Sequence, residues 1–136
     1  MIETMIGYGL MFTVTFTPYI FGGNDPTFGV DCSGFAIRMY RTMGYGMVDM
    51  TAQSMHDELK HRFRSGIRRG GLLFFGDTQH KITHVAISLG DGTMLEAGGG
   101  DRTTTSEEKA RKIGARVRIS NIRSDLVAAL YDETLI

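Results

Sequence analysis

Residues 82–97 read ITHVAISLGDGTMLEA, two alternating runs on either side of a Gly-Asp-Gly turn. Alternation of this kind marks a half-buried strand, and a short glycine turn joins two such strands into a hairpin. The side chains select one register. A two-residue turn at Asp91–Gly92 would pair Ile87 with Glu96 and drive a carboxylate onto the apolar face. A three-residue loop from Gly90 to Gly92 pairs Ala86 with Glu96 and Ile87 with Leu95. Val85, Ile87, Leu89 and Leu95 then share one face, and His84, Ala86, Ser88 and Glu96 the other. In this register His84 and Glu96 are diagonal neighbours within hydrogen-bond reach.

The rest of the chain supplies further strands and, upstream of them, helices. "GLLFFG" (71–76) is a short buried strand between glycines, and "ARVRIS" (115–120) alternates again. Upstream the period is helical. A helix is expected from Ser33 to about Met43, burying Phe35, Ile37, Met39, Tyr40 and Met43 and stopping at Gly44. A second fits 51–63, with Met55, Leu59 and Phe63 four apart and Thr51 as its cap. "FTVTFT" (12–17) reads as a short extended segment before Pro18, and 21–29 as an irregular loop. Residues 98–114 read as an exposed excursion with a helical turn, and "SDLVAAL" (124–130) as a closing helix. Helices first and antiparallel strands afterwards predict an α+β fold, with N-terminal helices packed on an antiparallel sheet. A length of 136 residues fits a single domain over 1–136.

Composition narrows the function. Fifteen basic residues balance fifteen acidic ones, so bulk charge points to neither nucleic acid nor an anionic membrane. The local basic run "RFRSGIRR" (62–69) reads as a solvated helix end and loop. Residues 4–24 carry no charge, but their four threonines, four glycines, Pro18 and Asn24 are poor material for a spanning helix. No basic stretch or small-residue cleavage site marks a signal peptide, so the segment is read as part of the fold. His56 and His61 are five apart and fall on different helix faces. With one cysteine and no HExxH, neither a metal site nor a cofactor is expected.

That one cysteine, Cys32, stands in "FGVDCSGFAIRMY" (28–40), where a turn-rich loop meets a helical pattern. A lone cysteine is otherwise a small buried hydrophobe. At a helix N-terminus it lies in the positive end of the dipole, which favours a thiolate. The small residues Ala86 and Ser88 leave room on the His84 face for this helix to pack. His84 approaching Cys32 would then act as a general base toward an activated nucleophile. Glu96 would fix the tautomer, and helix-start amides would serve an oxyanion. His80, in the loop "DTQHKI", is the fallback base.

"PYIFGG", "DCSGF" and "HVAISLGDGTMLEA" together resemble the NlpC family of papain-like bacterial cell-wall endopeptidases, over about Pro18 to Gly98. The resemblance implies a papain-like core with Cys32 as nucleophile, His84 as base and Glu96 in the third catalytic position. It places Tyr19 beside the oxyanion region, and Asp31 and Ser33 where family members recognise the amine end of a muropeptide stem. The implied reaction is hydrolysis of the amide between D-glutamate and the diamino acid of a peptidoglycan stem peptide, through an acyl-enzyme. Two positions depart from the pattern. The third catalytic residue is usually His, sometimes Asn or Gln. The strand that usually reads Gly-Asp-Leu has Gly71-Leu72-Leu73. A wall substrate and no visible export signal together point to a bacteriophage lysin or tail component, released through a holin or carried with other tail proteins. The alternatives are a non-catalytic binding module of a phage tail, an N-acetylmuramoyl-L-alanine amidase, or a transpeptidase-like acyl transferase.

Overall fold

The computed structural model describes residues 1–135. It opens with helix α1 (Ile2–Val14), which buries Met5, Ile6 and Gly9. A Cβ at Gly9 would lie 2.7 Å from Leu95 Cδ2, so the missing side chain is what lets α1 lie close against the sheet. The extended segment expected over 12–17 is therefore corrected. Residues 12–14 complete α1, and Phe16 (φ 53°) turns the chain back so that the Thr17 N–H reaches the Phe12 carbonyl at 3.1 Å. The threonines that gave the alternation bond backwards along the helix, Thr13 Oγ1 to the Leu10 carbonyl at 2.6 Å. A threonine satisfied in this way fits a helix end as well as a strand.

The loop over 21–29 folds onto itself as a minimal hairpin, β1 (Asn24–Asp25) with β2 (Gly29–Val30). Two helices follow. α2 (Cys32–Arg41) is capped by Asp31, and α3 (Ala52–Leu59) by Thr51, whose hydroxyl accepts from the Ser54 N–H. A six-stranded antiparallel sheet comes next, from β3 (Arg64–Ser65), β4 (Leu72–Gly76), β5 (Ile82–Ser88), β6 (Thr93–Gly98), β7 (Arg116–Asn121) and β8 (Leu126–Tyr131), in the order β3-β8-β4-β5-β6-β7. Helix α4 (Glu107–Ile113) sits in the excursion between β6 and β7, between a Ser106 cap and a left-handed Gly114. The α+β architecture of helices on an antiparallel sheet is as expected. No helix among the described residues is long and apolar enough to cross a membrane.

Residues 124–130 are a correction: they supply β8, not a closing helix. Leu126 and Ala129 face one side of the sheet and Leu130 the other. A strand that meets an apolar cluster on each face loses its alternation, so its period cannot separate it from a helix.

The β5–β6 register is the one the side chains select, with Ile87 opposite Leu95 and Ser88 opposite Met94. The main core lies on the Val85, Ile87 and Leu95 face, where Phe35, Ile37, Met39 and Tyr40 of α2 pack. The expectation that α2 packs on the Ala86 and Ser88 face is thus corrected. Large apolar side chains of the helix need the apolar face. The small-residue face holds a second cluster (Leu73, Phe75, Ala86 and Met94) covered by Ile122, Leu126 and Ala129, where the chain crosses from β7 to β8. Leu72 is fully buried in the main core.

Candidate active site

Hydrogen-bonded pairing between β5 and β6 stops at Ile87–Leu95, although β5 begins at Ile82 and β6 runs on to Gly98. The strands splay toward the end carrying His84 and Glu96. Cys32, at the start of α2, lines the same cleft as His84. Glu96 holds the imidazole from behind, with Oε1 at 2.6 Å from Nε2. With Nε2 engaged by Glu96, Nδ1 is the ring nitrogen left for Cys32. All three residues are buried, Glu96 to 1 % exposure.

Their charges are coupled. Burial alone pushes the His84 pKa down. The hydrogen bonds and negative charge of Cys32 and Glu96 overcome it and raise the pKa to about 9. For Glu96, burial pushes up, but His84, Ser120 and Arg118 together pull the pKa down to about 2. The favoured state is an imidazolium against the Glu96 carboxylate.

Asp31 determines where α2 begins. Its Oδ1 accepts from the Gly34 N–H at 2.8 Å and the Ser33 hydroxyl at 3.3 Å, while Oδ2 accepts from the Gly22 N–H at 2.9 Å. One carboxylate thus ties the 21–23 loop to the helix start. The contact is close enough that a Cβ at Gly34 would stand 2.1 Å from the Gly23 carbonyl oxygen. The Gly34 and Phe35 amides are taken by Asp31, leaving those of Cys32 and Ser33 available to an oxyanion.

A cleft of about 570 Å³ opens over Cys32 and His84, with Tyr19, Asp31 and Ser33 among its walls and Asp101, Arg102 and Arg123 at its rim. Tyr19 is 7 % exposed, and its ring lies where a Cβ on Gly100 would stand. Burial, with the negative charge of Cys32, Asp31 and Asp101, pushes its pKa up and keeps it a neutral O–H. The six sequence-derived candidates (Tyr19, Asp31, Cys32, Ser33, His84 and Glu96) therefore meet at one cleft or directly behind it. His80 lies exposed in its loop and does not line the cleft. His56 is buried against the Phe74 ring, with Nδ1 at 3.0 Å from Asp57. Among the described residues no group of three or more metal-ligating side chains gathers.

Sequence reasoning missed Arg118 and Ser120. Arg118 Nε and Ser120 Oγ reach Glu96 Oε2 at 3.0 and 2.7 Å. The alternation of "ARVRIS" put them on one face, but which residue opposes Glu96 depends on the β6–β7 register, and the 98–114 excursion conceals it.

Fold and site together define a papain-like α+β domain, in which a cysteine opens a helix and a histidine–carboxylate pair comes from the splayed hairpin beside it. More particularly, the chain belongs to the NlpC/P60 family, whose pattern it matches over residues 16–124. It is 37 % identical over 82 residues to the bifunctional muramidase/DL-endopeptidase CwlT of Bacillus subtilis, covering 59 % of this chain and 25 % of that protein. It is 33 % identical over 104 residues to a gamma-D-glutamyl-L-lysine dipeptidyl-peptidase of Bacillus cereus, covering 74 % of this chain and 30 % of the relative. The chain thus spans only about a quarter to a third of these relatives. Among solved structures it superposes on the NlpC/p60 domain of the peptidoglycan hydrolase SagA with a TM-score of 0.69 and 25 % identity, over 96 % of this chain and 98 % of that one.

Proposed function

We propose that this domain is a cysteine peptidase that hydrolyses amide bonds of peptidoglycan stem peptides, cutting between D-glutamate and the diamino acid. The observation that carries the reading is the Glu96-held His84 imidazole lining one open cleft with Cys32, which stands at the start of α2. The bond assignment draws support from the relative named for gamma-D-glutamyl-L-lysine cleavage.

The steps follow from the arrangement. The Cys32 thiolate attacks the amide carbonyl, and the developing oxyanion is met by the Cys32 and Ser33 amides, with the neutral Tyr19 hydroxyl on the same cleft wall. The C–N bond breaks as the His84 imidazolium gives its proton to the leaving amine, forming a thioester. Water then attacks the thioester while His84 takes a proton, and the carboxylic product leaves Cys32 as the thiolate. Glu96 stays ionised throughout and orients the ring. Asp31 and Ser33 form the wall that faces the free amine of the stem peptide. Such a substrate puts the site of action in the cell wall, outside the cytoplasmic membrane.

Digestion of purified sacculi with wild type and Cys32→Ala, followed by mass spectrometry of the new termini, tests this. New amino termini on the diamino acid, absent with the variant, are expected. New termini on L-alanine would make the protein an amidase. Release of nothing by wild type would leave a binding module.

A further inference from the structure

Glu96 is a carboxylate buried in a sheet, in a position where a neutral side chain could also orient a histidine. An isolated carboxylate so buried takes up a proton. Protonated, it would offer its own O–H to His84 Nε2 and favour the neutral ring, leaving Cys32 without a cationic partner. Something must hold the charge.

The β6–β7 register sets Arg118 directly opposite Glu96 and Ser120 opposite Met94, so both project on the Glu96 face. Both donate to the same oxygen, Oε2, at 3.0 and 2.7 Å, and leave Oε1 to His84. Space for this is built in: a Cβ at Gly98 would lie 2.6 Å from Oε2 and 3.0 Å from Arg118 Nη2. Arg118 is not among the cleft walls, so it does not meet a ligand held there. Its side chain is 36 % exposed, linking a fully buried carboxylate to solvent.

We propose that Arg118, seconded by Ser120, is a positioning residue that keeps Glu96 an anion aimed at His84. This rests on the reading of Cys32, His84 and Glu96 as a working triad. Of the charged and titratable groups around Glu96, His84 faces it from β5, with Cys32 of α2 beyond, and Arg118 faces it from β7. Arg116 shares the sheet face opposite Gly98, but its guanidinium stacks over the Phe16 ring at 4.7 Å. The depressed pKa of Glu96 agrees: burial opposes it, and His84, Ser120 and Arg118 outweigh burial.

The test is a titration of the Glu96 carboxyl carbon by ¹³C NMR in wild type, Arg118→Met, Arg118→Lys and Ser120→Ala, alongside the pH profile of muropeptide cleavage. Wild-type Glu96 is expected to stay ionised down to pH 4. Arg118→Met moves its midpoint up by one unit or more, Ser120→Ala moves it less, and Arg118→Lys restores most of the wild-type behaviour. The acid limb of kcat/KM moves with the midpoint while KM holds. An unchanged Glu96 midpoint and acid limb in folded Arg118→Met overturns the proposal. If that variant does not fold, wild-type midpoints in both Arg118→Lys and Ser120→Ala overturn it equally. The NMR arm needs no turnover. A shifted midpoint in a protein that cleaves nothing would refute the enzymatic reading and leave the hold on Glu96 standing.

Discussion

Replacing Glu96 by glutamine keeps the shape and removes the charge. The amide has one oxygen, and both Arg118 and Ser120 are donors on the Oε2 side. The carboxamide oxygen therefore stays with them and its NH₂ turns to His84 Nε2, which must then accept. Acceptance at Nε2 requires a neutral ring, so the His84 pKa falls. In the native protein that pKa is about 9 against the ordinary 6.5. At about 1.4 kcal/mol per unit, the protonated ring contributes about 3 kcal/mol to stability. Cys32 supplies part of the rise and remains, so Glu96→Gln is expected to lose about 2 kcal/mol at pH 6. With an m-value of about 2 kcal/mol/M, this lowers the urea midpoint by about 1 M. The pH dependence carries the sign. A raised histidine pKa gives stability that is full below 6.5 and lost as pH rises through about 9. The depressed Glu96 pKa gives stability present above 4.5 and lost as pH falls through about 2. Wild type should therefore lose stability from pH 6.5 to 9.5, while Glu96→Gln should be flatter over the same range. Urea unfolding followed by circular dichroism at several pH values, with an NMR titration of His84, measures both. Parallel stability curves and an unmoved His84 midpoint would refute the coupling.

Other substitutions probe separate parts of the site. Cys32→Ala should reduce muropeptide cleavage at least about a thousandfold, while far-UV circular dichroism stays that of the folded wild type. Asp31→Ala removes the cap of α2 and the tie to Gly22, and urea unfolding should show a loss of about 1–3 kcal/mol. Gly34→Ala forces a Cβ to 2.1 Å from the Gly23 carbonyl oxygen, and thermal unfolding should show a loss of about 2 kcal/mol or more. Gly7→Ala, on the open face of α1 with nothing within 4 Å, should raise the melting temperature, gaining about 0.5–1 kcal/mol.

The core of the site is legible in the sequence because it depends on local pattern. His84 and Glu96 share a hairpin whose apolar alternation admits one register, and Asp31 precedes a helix whose period is clear. Elements that depend on distant partners are not legible. β8 is apolar on both faces because one packs on the main core and the other on the second cluster, and its own residues do not encode that environment. The threonines near the end of α1 imitate a strand until their hydroxyls are seen bonding back to carbonyls. The side of the sheet taken by α2 follows from matching large side chains to the larger apolar face, which requires both partners in view. The arginines of the basic run 62–69 are exposed, as its solvated reading expects, and what the run does not show is that Arg69 forks onto Glu3 at 2.8 and 2.9 Å and Arg68 lies 5.1 Å over Tyr131. Both partners lie outside the run, near opposite ends of the chain.

The proposed function requires His84 to activate the Cys32 sulfur, and this is tested most directly by the rate at which iodoacetamide alkylates Cys32 at pH 6 in wild type and in His84→Ala. A wild-type rate at least tenfold above that of the variant is predicted. Equal rates in the two proteins at pH 6 would mean that the imidazole does nothing for the sulfur, and would contradict the account.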